Sequence, residues 1–326
     1  MMHKTLQPIC NAALLLCWLI VMTACTDDGA LLPKSGGKPY EVVVTGNTEE
    51  AVRAVSTLLG ALTVAGLPQR EPTFDISQTT KGIGQATKYA RSIINVNIDP
   101  EMTGKTRMSH RLDVYAKPQI VINICSPSAR QLTTDIRSRQ DDIKGIIDRF
   151  ELEAGITRLS RHRNIKAEKA VKKMFGDVQI WIPEELTAMK KGHDFIWLSD
   201  NGKSAMRNIC IYTYAYDNVT LPEGAARKRD SVMRKNIPGE TAQMFMTTVH
   251  SPAPTARTTQ HNGRRTMELR GQWVMKGDIM GGPFISRCLI DSTKQRITVA
   301  EAFVYAPGTA KRNIIKQLEA VLYTFK

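Results

Sequence analysis

The sequence predicts an α+β protein of two tandem subdomains, each a mainly antiparallel sheet with helices packed on one face. Three observations lead there. Short β-branched runs bounded by turn residues recur along the whole chain, and they come mostly in groups instead of alternating strictly with helices. Few stretches carry apolar residues at helical spacing, and two of these sit side by side near the middle of the chain, between the groups of strands. With 326 residues, 42% of them hydrophobic, the chain is long enough to bury two ordinary cores.

Tyr40 to Thr45 is β-branched and stops at Gly46, the pattern of a first strand. Asn47 or Thr48 then caps a helix that opens with Glu49-Glu50, where acids suit the partial positive charge of a helix start. Val52, Val55, Leu58, Leu59 and Leu62 recur at helical spacing, and Gly66 and Pro68 close the segment. Phe74 to Ile76 reads as a short strand, and Ile83 to Tyr89 as a short helix. Ser92 to Ile98, Met108 to Ala116 and Gln119 to Cys125 read as three more strands. Ser126-Pro127 opens the longest helix, with Ser as N-cap and Pro in the first helical position, and its stripe is Leu132, Ile136, Ile143, Ile146, Ile147 and Phe150. Gly155 marks its break, and a second amphipathic segment runs from Ile165 to Phe175.

The second half uses the same local patterns. Val178 to Ile182, Phe195 to Leu198 and Asn208 to Tyr214 read as strands, followed by a basic helix from Glu223 to Lys235 and the turn Asn236-Ile237-Pro238-Gly239. Gln243 to Val249 is the next strand, and Met267, Leu269, Gly271, Trp273 and Met275 alternate on one face of another. Pro283 to Ile290 and Ile297 to Tyr305 complete the set, and Thr309 to Phe325 ends the chain as a helix with Ile314, Ile315, Leu318, Val321 and Leu322 inward. The organisation expected is a signal peptide over 1–24, a lipid-anchor tether over 25–39, and subdomains over 40–155 and 156–326.

The strongest single signal lies at the amino end. Ala12 to Met22 is an uncharged apolar run of 11 residues, and spanning a bilayer takes about 20. With Lys4 ahead of it and the small residues Thr23 and Ala24 behind, it reads as the core of a cleavable signal. Met22-Thr23-Ala24-Cys25 resembles the lipobox of bacterial lipoproteins. That resemblance implies a diacylglyceryl group on the Cys25 thiol and acylation, as by palmitate, of the freed amine. Each buried methylene contributes about 0.8 kcal/mol, so two or more chains hold a protein on a membrane without spanning it. The alternative is an ordinary secretory signal followed by a coincidental cysteine. Thr26-Asp27-Asp28 resembles the export signal of Bacteroidetes-type lipoproteins carried to the cell surface, with a periplasm-facing outer-membrane position as the competing address. Ala30 to Pro39, with Pro33, Gly36, Gly37 and Pro39, reads as a flexible tether.

The formal net charge is +14, and +13 after cleavage before Cys25. Such an excess favours anionic neighbours such as a phosphorylated glycolipid, an anionic glycan or nucleic acid, with an envelope protein as a further partner. Nucleic acid is set aside as a partner, because the address is extracytoplasmic and no aromatics interleave with the basic residues. Cys125, Cys210 and Cys288 are odd in number and lack metal-type spacing. Each lies in an apolar or alternating run, so they read as buried small hydrophobes, with one disulfide as the alternative.

Several later stretches share a family pattern. Arg270-Gly271-Gln272-Trp273, Gly277-Asp278-Ile279-Met280-Gly281-Gly282-Pro283-Phe284, Phe303-Val304-Tyr305-Ala306-Pro307-Gly308 and Arg312 to Tyr323 resemble the closing region of an uncharacterised Bacteroidetes lipoprotein family, domain of unknown function 4837. Arg229-Asp230-Ser231-Val232 and Asn236-Ile237-Pro238-Gly239 fit it as well. The resemblance implies a membrane-anchored envelope protein and carries no catalytic residue, cofactor or metal with it.

No Gly-x-Ser-x-Gly elbow, His-Glu-x-x-His, phosphate-binding loop or Cys-x-x-Cys pair occurs in the sequence. Four constellations remain. In the first, Asp278, Gly281 and Gly282 read either as a hairpin connection or as a ligand-binding loop in which Asp278 accepts from a sugar or basic group. The second is a run of cations, Arg158, Arg161, Arg163, Lys166, Lys169, Lys172 and Lys173. Most share one helical face, either solvated or set against anionic lipid, with Arg161, Lys166, Lys169 and Lys173 as the contact residues. The third, Tyr212 and Tyr214 with Tyr216, is either packed beneath a helix or a stacking platform for sugar rings. In the fourth, Asp230-Ser231-Val232 and Asp291-Ser292-Thr293 resemble the O-glycosylation acceptor pattern of Bacteroidetes envelope proteins, which makes Ser231 and Ser292 candidate sites beside an ordinary cap or turn role. The function expected is a non-catalytic envelope binding or assembly protein. Alternatives are a glycan or glycolipid hydrolase with Asp278 among its acids, and a structural partner of an outer-membrane complex.

Overall fold

The computed structural model describes residues 31–326 apart from 177, 217–222, 262–263 and 292, and Lys34–Lys326 pack as one unit. The class is α+β, with thirteen strands in two sheets and five helices among the described residues.

The N-terminal sheet contains β1 (Glu41–Gly46), β2 (Asp75–Thr79), β3 (Ser92–Ile98), β4 (Arg107–Leu112) and β5 (Ile120–Ser126) in the order β2-β1-β3-β5-β4. Its strand sense differs from the expectation. Three of its ladders are parallel and only β4 runs antiparallel, against β5. The reason is the crossover: α1 (Glu49–Gly60) returns the chain after β1, so the next strand starts from the same end. Thr48 caps α1 by accepting from the Ala51 amide at 3.4 Å, and its Val52, Val55 and Leu59 face Val42, Val44, Ile94 and Ile122. The long α2 (Ala129–Leu159) closes the same core with Leu132, Ile136, Ile143 and Ile147. Burying one such Ile or Leu contributes about 1.5–3 kcal/mol. Both helices lie on this one face of the sheet.

Several local expectations need correction. Gly155 does not end the helix; α2 runs through it to Leu159, and a Cβ there would stand 3.1 Å from Ala320 Cβ. The glycine is a point of close helix approach. The helix starts after Ser128, whose hydroxyl accepts from the Gln131 amide at 3.2 Å, two residues beyond the expected cap. Ile83 to Tyr89 forms turns instead of a helix, and Val178 to Ile182 is not a strand. Half of the expected tether is tied down: the Ser35 amide donates to Lys117 O at 3.2 Å and the Gly36 amide to Tyr89 O at 2.8 Å.

The C-terminal sheet is antiparallel throughout, in the order β10-β11-β12-β13-β8-β7-β6, with β9 also on β11. Its strands are β6 (Ala188–Lys191), β7 (Phe195–Ser199), β8 (Met206–Ala215), β9 (Phe245–Thr248), β10 (Thr255–His261), β11 (Arg264–Lys276), β12 (Gly281–Asp291) and β13 (Arg296–Tyr305). Helices cover both of its faces, where one was expected. On one side α3 (Ile165–Phe175) and α5 (Arg312–Tyr323) share a core with Ile209, Ile211, Ala300 and Val304. On the other, α4 (Glu223–Asn236) joins Tyr212, Trp273, Phe284 and Phe303. Because both faces are covered, β12 is buried from Gly282 to Leu289 and β13 from Ile297 to Val304, including the polar Ser286, Arg287, Thr298 and Glu301.

The helix α5 also holds the halves together. Glu71 accepts from the Lys311 and Arg312 amides at 2.8 and 2.9 Å, a carboxylate set on the helix start. Further along, Lys316 pairs with Asp148 of α2 at 3.1 Å and with Glu319, and Glu319 pairs with Arg270 of β11. Burial works to raise the Glu319 and Asp148 carboxyls, but the charges of Arg270 and Lys316 on the one, and of Lys316 and Lys144 on the other, hold both below the usual range. No helix among the described residues is long and apolar enough to cross a membrane.

Candidate functional site

The cationic run is the one expected constellation that forms a continuous exposed feature. Ala167, Val171 and Phe175 bury one side of α3, and that packing turns Lys166, Lys169 and Lys173 outward. Asn164 starts the helix by accepting from the Ala167 amide at 3.0 Å. Arg158 at the end of α2 and Arg161 in the following turn are exposed beside it. The nearby acid is already engaged: Glu168 accepts from Arg163 Nε at 2.9 Å, and that bonding raises the Arg163 guanidinium further. Among the described residues none of Arg158, Arg161, Lys166, Lys169, Lys172 or Lys173 has an acidic partner within 4.0 Å. The result is a strip of unneutralised ammonium and guanidinium groups, which suits phosphate or carboxylate groups spread over a surface.

Asp278 lies in the exposed turn between β11 and β12, closed by a 2.8 Å bond from the Met275 amide to Met280 O. Its carboxylate accepts from the Ile279 amide at 2.5 Å. Gly281 and Gly282 belong to β12 opposite Val274 and Trp273. A Cβ on Gly282 would fall 1.9 Å from Val304 O, so that glycine serves close strand packing. These three residues line neither a cleft of about 770 Å³ beside β2 nor one of about 370 Å³ between β4 and α2.

Tyr212 is only 1% exposed and its hydroxyl donates to Glu301 Oε2 at 3.2 Å, so it offers no ring face to a sugar. Tyr214 packs on it, with centroids 6.3 Å apart. Packing beneath α4 is therefore the arrangement found, and it leads to a group that the sequence reading missed. Arg229 of α4 is fully enclosed. Its Nε and Nη2 donate to Glu301 at 2.8–3.0 Å, Nη1 donates to Thr248 Oγ1 at 3.0 Å, and its guanidinium lies 3.9 Å from the Phe284 ring centroid. Burial pushes the Glu301 carboxyl up and Arg229 pulls it back. Burial also works against the Arg229 charge, which Glu301 more than restores. The same burial, with Glu301 beside it, drives the Cys288 thiol up to about 12 and the Cys210 thiol well above its ordinary value. Both thiols are free and fit the reading as buried small hydrophobes; Cys125 is also free but only half-buried, which corrects that reading for it. Asp230 accepts from the Thr248 amide at 2.7 Å and hydroxyl at 2.6 Å, locking β9 to α4.

The Arg229-Asp230-Ser231-Val232, Arg270-Gly271-Gln272-Trp273 and Phe284 stretches thus meet in space: Arg229 over Phe284, and Trp273 Nε1 donating to Val304 O at 3.2 Å. A basic residue on an otherwise apolar helix face, opposite a lone Glu in a strand of small apolar residues, was the signal available. Ser231 is exposed on α4, while Cys25 and Ser292 lie outside the described residues. Among the described residues no group of three or more His, Cys, Asp or Glu side chains is placed to hold a metal.

Comparison with curated proteins gives no match. Solved structures with a distant likeness include a Ran-binding protein and a lipid transfer domain. The Saccharomyces cerevisiae Ran-binding protein Mog1p is 8% identical, with 46% of this chain and 90% of that one covered at a TM-score of 0.32. The human StarD13 (DLC2) lipid transfer and protein localization domain is 9% identical, with 49% and 95% covered at 0.20. Likenesses of this size carry no functional argument. Residues 35–160 match the family described as Domain of unknown function (DUF8532). Residues 164–324, the segment that holds α3, the whole C-terminal sheet and the buried Arg229 and Glu301, match the family described as Domain of unknown function (DUF4837).

Proposed function

We propose that the chain is a non-catalytic, lipid-anchored protein of the bacterial outer membrane, attached through acylated Cys25, and that it binds an anionic glycolipid through the cationic strip on α3. The observation that carries the binding part is the strip itself: Lys166, Lys169 and Lys173 project from one side of a helix whose other side is buried, with Arg161 beside them and no acid taking up their charge. The run of 11 apolar residues ending at Met22-Thr23-Ala24-Cys25 supports the anchor.

Electrostatic binding of this type weakens with salt, because exposed charges beyond about 8–10 Å are screened at physiological ionic strength. The protein is expected to sediment with vesicles that contain a phosphorylated glycolipid at low salt and to be released at high salt. Replacing Lys166, Lys169 and Lys173 together with Glu is expected to abolish that retention while leaving the melting temperature within a few degrees, since the three side chains are exposed. Retention of the triple variant at wild-type levels would refute the assignment of the strip. Loss of membrane fractionation and palmitate labelling in Cys25→Ala is the separate expectation for the anchor.

A further inference from the structure

Strands β1, β3 and β5 run parallel, so the segments leading into them, 34–40, 86–91 and 113–119, meet at one end of the N-terminal sheet. These segments are bonded to one another. The Arg91 amide donates to Gly36 O at 3.0 Å, the Gln119 side-chain amide donates to both Lys88 O and Ala90 O at 2.7 Å, and the Tyr115 amide donates to Gln119 Oε1 at 2.8 Å. This end is therefore a built surface.

Its composition is unusual for the molecule. Tyr89, Leu112 and Tyr115 are 41%, 55% and 37% exposed, and among the described residues from Lys34 onward only Ile165 and Ile279 join them as exposed large apolar side chains. Cations surround them. Lys88 Nζ stands 4.8 Å from the Tyr89 ring centroid, Lys34 is exposed and bridges to Lys117, and Lys117 is 71% exposed beside Asp113. Of the acids nearby, Asp113 pairs with Lys117 at 3.4 Å and Glu41 accepts from the Lys38 amide at 2.9 Å, while Asp142 and Glu153 of α2 line the cleft beside Leu112.

We infer that this end of the N-terminal half, with Tyr89, Tyr115 and Leu112 at its surface and Lys34, Lys88 and Lys117 around them, is the face that rests on the bilayer. The inference rests on the Cys25 anchor proposed above and adds the orientation of the body. Lys34 is where the chain from Cys25 joins the fold, and nine residues reach at most about 30 Å. A body held that closely must turn some face to the lipid, and the face nearest the attachment point carries amphipathic tyrosines with ammonium groups, the composition suited to a headgroup layer. The long α2 agrees in direction. It begins next to the carboxyl end of β5, meets Tyr40 and Arg91 through Glu151, and continues past them to Leu159, which brings Arg158 and Arg161 toward the same end.

The test uses the lipidated protein reconstituted into vesicles of phosphatidylethanolamine containing phosphatidylglycerol. In a Cys125→Ser background, Tyr89→Cys, Tyr115→Cys and, as a control at the opposite end of β3, Glu101→Cys are each labelled with an environment-sensitive fluorophore. Labels at 89 and 115 are expected to shift to shorter wavelength and to be quenched by a headgroup-depth quencher, while the label at 101 stays water-like. Water-like labels at 89 and 115 in a protein that still incorporates palmitate overturn the orientation and leave the anchor standing. If palmitate incorporation proves absent, the anchor reading fails by itself, and the labelled protein is added to the same vesicles from solution. A shift at 89 and 115 there still supports the face, and no shift overturns it.

Discussion

The two sheets solve the same problem in opposite ways. In the N-terminal sheet both helices lie on one side, and on the other side Asn95 donates to Asn123 at 3.2 Å, with Asn97 and Cys125 in the next row and Ser109 and Arg107 of β4 continuing outward. In the C-terminal sheet Ile209 and Ile211 point into one core, and Cys210 and Tyr212 into another. That side is only partly open: Asn97 is exposed and Asn95 and Asn123 half-buried, whereas Ile93, Val121 and Thr45 are covered, so polar groups cost least toward the carboxyl ends of β3 and β5. A face covered by a helix keeps a charge at a cost that its partners must offset: Arg229 gathers Glu301, Thr248 and the Phe284 ring, while the buried Arg287 has the Leu322 carbonyl and the Tyr323 ring and leaves its Nε unmet. The covered half is committed to its own packing, so groups free to meet a partner lie on the exposed turn and helix joining the halves and at the end where β1, β3 and β5 begin.

The sharpest way to break this contrast is Glu301→Ala. Removing the carboxylate leaves a guanidinium enclosed among Phe284, Met246 and Tyr212, and the expected loss is about 3–5 kcal/mol in urea unfolding. A loss below about 1 kcal/mol would mean that water reaches Arg229 and that the two faces of this sheet are not both closed. A smaller effect is expected where the halves meet. Asp148 and Glu319 are held below the usual carboxylate range, so the stability they contribute is complete above the unfolded value, about 4, and is lost as pH falls through their depressed folded values. Acid titration followed by hydrogen exchange should therefore loosen α5 against α2 below about pH 4, with the wild type more acid-sensitive than Asp148→Asn. An identical acid response in the two proteins would remove Asp148 from that role. The smallest effect is expected on the open face: Asn95→Ala should cost no more than about 1 kcal/mol, since Asn123 can bond to water instead. A cost near that of Glu301→Ala would mean that this face is covered as well.

Much of the secondary structure was legible because its signals are local. Ser92 to Ile98 and Ile297 to Tyr305 match β3 and, within a residue, β13. The apolar spacing of Ile165 to Phe175 also placed its lysines on the outer side of α3. The edge strands β6 and β10 were missed, because Ala188–Lys191 and Thr255–His261 carry too few apolar residues to alternate visibly. Gly155 was read as a stop because glycine weakens helices on average, whereas here the approach of Ala320 uses the missing side chain.

By itself, then, the sequence determined the class, most of the elements and the cationic side of α3, all of which rest on spacing within a few residues. The tertiary structure decided the parallel sense of the N-terminal strands, the covering of both C-terminal faces and the meeting of Arg229 with Glu301 across 72 positions of chain. Those depend on where the chain returns after a helix and on which side chains then fill the enclosed space. Neighbours along the chain encode a period; they do not encode the distant group that neutralises a buried charge.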